Sequence, residues 1–249
     1  MKQKIKALKD KILDLMYPKN IKCMFCTEEL NNSEYNCTCE NCMPILPFIK
    51  NPCEKCGSEM NENQKGVCIK CKKRNYNFSQ AKSVFLYEGL PSSVVQGLKY
   101  SNKKYLVPHI IRYLLDIYSM WNVFADYVVC VPMFSTKEKQ RGYNQSKLMA
   151  EEFSREAKIP FLDCLLKTKD TSSQTSLNVN ERIENVAESF DVDKRYLTDI
   201  KDKIFLIVDD VITTGATSSE ISKVLIKNGA KACYVLTFAH TQLQQINLD

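Results

Sequence analysis

Two neighbouring acids, Asp209 and Asp210, close an apolar run that begins at Ile204, and Thr213, Thr214, Gly215, Ala216 and Thr217 follow at once. Paired carboxylates at the C-terminal end of a strand, where open α/β sheets bind ligands, can accept hydrogen bonds from the two vicinal hydroxyls of a ribose. Backbone amides over 213–217, where a helix begins, can wrap a phosphate with the helix dipole behind them, and threonine hydroxyls add donors. Gly215 permits close backbone approach. A plainer reading has one acid capping a turn and the threonines capping a helix. It explains each part singly but not the conjunction of strand, acid pair and Thr-Thr-Gly-x-Thr. Lys137, Lys139 and Arg141 follow a second apolar strand. They are cations suited to a pyrophosphate, with Arg able to make bidentate contact. Gly142 and Asn144 beside Arg141 signal a turn into a helix N-cap.

A second chemistry lies in the cysteines. Of twelve, nine fall between Cys23 and Cys71, and eight of those form Cys23-x-x-Cys26, Cys39-x-x-Cys42, Cys53-x-x-Cys56 and Cys68-x-x-Cys71. Two such knuckles supply a complete tetrahedral thiolate shell for a structural zinc, so the pattern predicts two zinc ions. Iron–sulfur ligation is the alternative. Spacing leaves open whether the pairs close sequentially or interleave. Gly57 suits the left-handed turn of a knuckle. Cys37 is a ninth thiol that could substitute for Cys39. Cys130, Cys164 and Cys233, among apolar neighbours, read as small buried hydrophobes.

These groups need elements to position them. Residues 2–16 carry Ile5, Leu8, Ile12, Leu15 and Met16 at helical spacing among lysines, a basic amphipathic helix able to dock on the body of the protein or to lie peripherally on an anionic membrane. The stretch 21–75 has little periodicity and reads as a small module ordered by metal. Beyond it, strands are expected over 81–88, 126–131, 162–167, 203–208 and 232–239, and helices over 91–100, 104–121, 144–157, 176–186 and 216–228. Such alternation predicts an α/β domain over 76–249, a mostly parallel sheet with helices on both faces. The expected organisation is thus an N-terminal helix over 1–20, a zinc-binding module over 21–75 and the α/β domain.

Composition narrows the classes. With 44% hydrophobic residues and no apolar run near the length of a membrane span, the chain reads as a soluble cytoplasmic protein without a secretory signal. The net charge of +6 is concentrated early: residues 1–80 hold 14 Lys and Arg against 9 Asp and Glu. Two tetrathiolate zinc sites would nearly cancel that excess. Lys70, Lys72, Lys73 and Arg74 before Tyr76 and Phe78, and Lys99, Lys103 and Lys104 around Tyr100 and Tyr105, combine charge with rings as single-stranded nucleic acid would require.

The 204–217 segment resembles the PRPP (phosphoribosyl pyrophosphate) loop of type I phosphoribosyltransferases. Val131-Pro-Met, Arg141-Gly-Tyr-Asn-Gln145, Lys169-x-x-x-x-Gln174-x-x-Leu177-x-x-x-x-Arg182-x-x-Asn185 and Phe190, with the cysteine-rich start, resemble the ComF (competence protein F) family. The resemblance spans nearly the whole chain after about Asp14. It implies that Thr213, Thr214, Gly215, Ala216 and Thr217 hold the 5-phosphate of PRPP or ribose 5-phosphate and that Asp209 and Asp210 hold the ribose hydroxyls. It also implies that the loop with Pro132 and Met133 faces a pyrophosphate carrying Mg2+, the group for which Arg141 is suited by type. A basic residue at Lys167 or Lys169 belongs to the same pattern. Competence implies handling of imported single-stranded DNA beside the DNA-uptake machinery. The alternatives are phosphoribosyl transfer to a nitrogen nucleophile, for which no base-selecting element stands out, and a PRPP sensor without turnover.

Overall fold

The computed structural model describes residues 22–30, 35–169 and 186–242. The expected helices over 2–16 and 176–186 lie outside them wholly or nearly so, as do Gln174, Leu177, Arg182 and Asn185. The chain divides into two compact units, one up to Leu46 and one from Pro47.

In the first unit the backbone turns tightly around sulfur. Thr27 N donates to Cys23 O at 2.9 Å and Met43 N to Cys39 O at 3.0 Å, while Thr27 takes φ 67°. Each Cys-x-x-Cys thereby presents both sulfurs to one side.

The second unit is built on a four-stranded parallel sheet. Its strands are β1 (Gln80–Leu86), β2 (Tyr127–Cys130), β5 (Ile204–Ile212) and β6 (Ala232–His240), in the order β1-β6-β5-β2. A separate antiparallel pair joins β3 (Leu165–Lys167) to β4 (Phe190–Val192). Consecutive strand residues face opposite sides, and Phe205, Leu206, Ile207 and Val208 are all wholly buried, so both faces of β5 are covered.

Among the described residues the α-helices of this unit are α1 (Ile69–Lys73), α2 (Gly89–Tyr100), α3 (Val107–Ser119), α4 (Ser135–Arg141), α5 (Gln145–Ala157), α6 (Leu197–Ile200) and α7 (Ala216–Lys227). α3 packs on β1 and β6, α5 on β2 and β5, and the two helices meet each other. Phe85, Tyr113 and Phe238 interlock between α3 and the sheet, with ring centroids 5.1–6.5 Å apart. Ile221 and Leu225 of α7 share a core with Phe205, Ile207, Cys233 and Val235. Cys130, Cys164 and Cys233 are buried as expected, and burial pushes the thiols of Cys164 and Cys233 up to about 12.

Two elements differ from expectation. β5 does not stop before the acids but runs through Asp209 and Asp210 to Ile212, because its pairing with β6 continues to Ile212 opposite His240. The basic segment after β2 is the helix α4 rather than a loop, closed by Gly142 at φ 80°. Among the described residues no helix is long and apolar enough to cross a membrane.

Candidate functional site

The clamp comes before the cleft. Asn144 caps α5 by accepting from Ser146 N at 3.0 Å and Lys147 N at 3.4 Å, while its amide nitrogen donates to Val131 O at 3.0 Å. Ser146 Oγ accepts from Val131 N at 2.9 Å and donates to Val208 O at 2.7 Å. One helix start therefore holds the end of β2 against the middle of β5 at a fixed separation. Tyr143 donates its hydroxyl to Leu98 O and ties α2 to the same place.

Beside the clamp opens a cleft of about 420 Å³. It collects Asp209, Asp210, Thr213, Gly215, Ala216 and Thr217 from one side, and Pro132, Met133, Lys137 and Arg141 from the other. Thr214 does not line it. That residue is buried, its hydroxyl accepts from Ala216 N at 3.3 Å, and its carbonyl accepts from Tyr76. Helical geometry sorts the three cations of α4. Lys137 and Arg141, four residues apart on one face, reach the cleft, whereas Lys139 projects into solvent. Arg141 donates to Gln145 Oε1 and lies 5.5 Å from the centre of the Tyr100 ring. Of the two candidate lysines further on, Lys167 lines the cleft, and Lys169 pairs with Glu188 at 3.6 Å.

Sequence reasoning missed Lys99 as a member of this site. Its Nζ lies 2.9 Å from Asp210 Oδ2, with both side chains largely buried. Burial disfavours its charge, but Asp210 and then Asp209 outweigh that and hold it above the ordinary lysine range. Asp209 is shifted upward too, but for an acid that disfavours the charge. Burial and the neighbouring Asp210 charge push its carboxyl up to about 8, against the opposing pull of Lys99 and the Asp210 amide. The lysine is 111 residues from its acid in sequence, and only the packing of α2 over the sheet brings them together.

The basic and aromatic stretches also separate. Phe78 is 0% exposed and Tyr76 is packed beneath the 213–217 loop, so neither ring offers a face for a base, contrary to expectation. Tyr100 and Tyr105 are 72% and 63% exposed, next to exposed Lys103 and Lys104.

The cysteines close sequentially. Cys23, Cys26, Cys39 and Cys42 form one set and Cys53, Cys56, Cys68 and Cys71 the other, all sulfurs of a set lying within 4.8 Å of one another. Each set could hold a metal ion. Cys37 belongs to neither. In the second set Gly57 takes φ 74°, as its turn requires, and a Cβ there would strike Ala81 O at 2.7 Å.

With this geometry in view, the comparisons are specific. Residues 144–246 match the phosphoribosyl transferase domain. Competence protein F of Haemophilus influenzae is 28% identical over 87% of this chain and 95% of that protein. Over most of its length this chain is similar to ComF proteins, and it carries a phosphoribosyl transferase domain. DNA utilization protein YhgH of Escherichia coli is 26% identical over 82% of this chain and 90% of its own length. Competence protein ComFC of Bacillus subtilis is 23% identical over 80% and 82%. The ComF-like chain thus joins a type I phosphoribosyltransferase-like fold, a parallel sheet with helices, to two cysteine clusters.

Proposed function

We propose that this ComF-like protein serves the handling of imported single-stranded DNA in natural transformation, in the cytoplasm, and that its cleft binds PRPP or ribose 5-phosphate. The observation that carries the ligand reading is the convergence of the Asp209–Asp210 pair, the 213–217 loop and the Lys137–Arg141 face on one cleft. The names of the relatives, competence and DNA utilization, support the cellular role.

In this reading the amides of the loop before α7, with the helix dipole behind them, take the 5-phosphate. Asp209 and Asp210 accept from the ribose hydroxyls, and Arg141 and Lys137 meet the pyrophosphate beside Pro132 and Met133. Mg2+ would enter with the pyrophosphate, whose oxygens supply most of its ligands, and would neutralise charge there. The clamp of Asn144 and Ser146 keeps the two sides at the separation the ligand bridges.

The cysteine sets fit zinc. Zinc–sulfur bonds of about 2.3 Å in a tetrahedron place sulfurs about 3.8 Å apart. Cys53 and Cys71, and likewise Cys56 and Cys68, are 3.8 Å apart, and Cys26 and Cys39 are 3.5 Å apart. Backbone N–H groups of Cys39 and Cys68 point at Cys23 Sγ and Cys53 Sγ at 3.5 and 3.2 Å, as thiolate acceptors favour. Both ions would be structural.

Calorimetric titration of the zinc-loaded chain with ribose 5-phosphate and with PRPP tests the ligand reading. Wild type should bind both. Asp209→Asn with Asp210→Asn should lose affinity by about 1.5–3 kcal/mol for each charged hydrogen bond removed. Equal affinity in the double variant would sink the assignment.

A further inference from the structure

The short segment between the second cysteine set and β1 touches the cysteines and the ligand loop at once. The Tyr76 ring packs on the small core of Cys53, Cys56 and Met60, next to Cys68 and Cys71, and stacks on Phe78 with centroids 4.9 Å apart. Its hydroxyl donates to Thr214 O at 3.0 Å. The ring lies so close to Gly215 that a Cβ there would come within 2.9 Å of Tyr76 Cε1. Gly215 at φ 75° is therefore the residue both the backbone turn and this ring require. The next residue continues the brace. Asn77 N donates to Ser219 Oγ at 3.0 Å, and its side-chain amide donates to Ser219 O at 3.2 Å and to Ser219 Oγ at 3.1 Å, on α7.

A trans peptide is planar, with its C=O and N–H pointing in opposite directions. A tyrosine hydroxyl that fixes the Thr214 carbonyl also fixes where the Gly215 N–H points, out of the opposite edge of that peptide and away from the Tyr76 hydroxyl. Gly215 lines the cleft. Tyr76 sits between the large core of the α/β unit, which includes Phe78 and Ala216, and a cluster of three buried residues, two of them cysteines, and so small a cluster is ordered by its metal rather than by apolar burial.

We propose that Tyr76 is a positioning residue through which metal held by Cys53, Cys56, Cys68 and Cys71 sets the shape of the 213–217 loop and thereby its affinity for a sugar phosphate. The affinity half rests on the sugar-phosphate reading of the cleft; the loop half does not. Tyr76 itself touches no ligand. It acts through one peptide plane.

The test uses the full metal-loaded chain and Tyr76→Phe, which keeps the ring and removes the hydroxyl. Tyr76→Phe should retain the metal content of wild type by elemental analysis. Its amide hydrogen exchange should quicken over 213–218 while that of β6 stays the same, and ribose 5-phosphate should bind about 2- to 12-fold more weakly, the loss of one neutral hydrogen bond. Cys68→Ser should lose one ion and show the same quickening. Exchange over 213–218 that matches wild type in Tyr76→Phe, with metal content intact, overturns the proposal whether or not Cys68→Ser folds. Loss of metal by Tyr76→Phe overturns it as well, since Tyr76 would then be a support of the cluster. Quickened exchange in a protein whose wild type binds no ribose 5-phosphate would leave the loop coupling standing and remove the sugar-phosphate reading instead.

Discussion

Asp209 and Asp210 are neighbours in β5, yet among the described residues only Asp210 has an ion-pair partner, the ammonium of Lys99 at 2.9 Å. Asp209, raised from 3.8 to about 8 by burial and by Asp210, keeps its proton in the folded chain over a range where the unfolded chain has lost it. The folded state then binds more protons between about pH 4 and 8, so stability should fall as pH rises through that window. Urea midpoints at pH 5 and pH 8 should show this slope in wild type and a flatter one in Asp209→Asn. Ribose hydroxyls donate to the ionised carboxylate, so binding near neutral pH should release a proton. That appears as a calorimetric enthalpy that changes with the ionisation enthalpy of the buffer. At this scale much was legible in the sequence. The acid pair and Gly215 line one cleft and the eight paired cysteines gather into two sets, although the acids lie inside β5 rather than at its end. Lys99 and Tyr76 were not legible as site residues, because their significance lies in contacts 111 and 138 positions away. Read locally, both looked like parts of a basic-aromatic surface.

The Arg-Gly-Tyr-Asn-Gln motif shows at the level of elements why a chemically suggestive string can be mostly scaffold. Arg141 reaches the cleft, but Gly142 ends α4, Tyr143 holds α2, and Asn144 with Ser146 ties α5 to the end of β2 and the middle of β5. Asn144→Ala removes the cap and leaves Val131 O without its side-chain donor. It should cost about 1–2 kcal/mol in urea unfolding, the size of a lost N-cap. The start of the helix was visible from its Asn; the link to Val208 was not, since a serine hydroxyl has no sequence signature for a distant carbonyl. The boundary of β5 was misplaced because charged residues look like strand ends. Pairing with β6 carries them inside the strand. Of the two basic-aromatic stretches, only Tyr100 and Tyr105 present open rings. Single-stranded oligonucleotides retained at low salt should therefore be released by Tyr100→Ala and Tyr105→Ala, at about 1–3 kcal/mol per lost stack. Replacing Lys103 and Lys104 with glutamine should instead flatten the salt dependence. Full affinity in the double tyrosine variant would place the DNA contact elsewhere.

For the whole molecule, the first cysteine set lies in the unit up to Leu46 and the second in the unit from Pro47. The two sites should fill and empty separately. Elemental analysis of reduced wild type should give about two zinc per chain, and Cys26→Ser and Cys53→Ser should each retain about one. A single variant that empties both sites would show them to be one cooperative structure. The ion pair of Lys99 and Asp210 bears on what the cleft selects. An acid that already owns a tethered counterion is a poor trap for loose cations from solution, because each must first evict a lysine that cannot diffuse away. In the sugar-phosphate reading a guest enters by exchange, offering Asp210 a hydroxyl and Lys99 an anion in the same event. A sugar phosphate carries both and a simple metal cation carries neither, so the cleft should discriminate against bare cations, while added salt should still weaken the guest's hold on Lys99, Lys137 and Arg141.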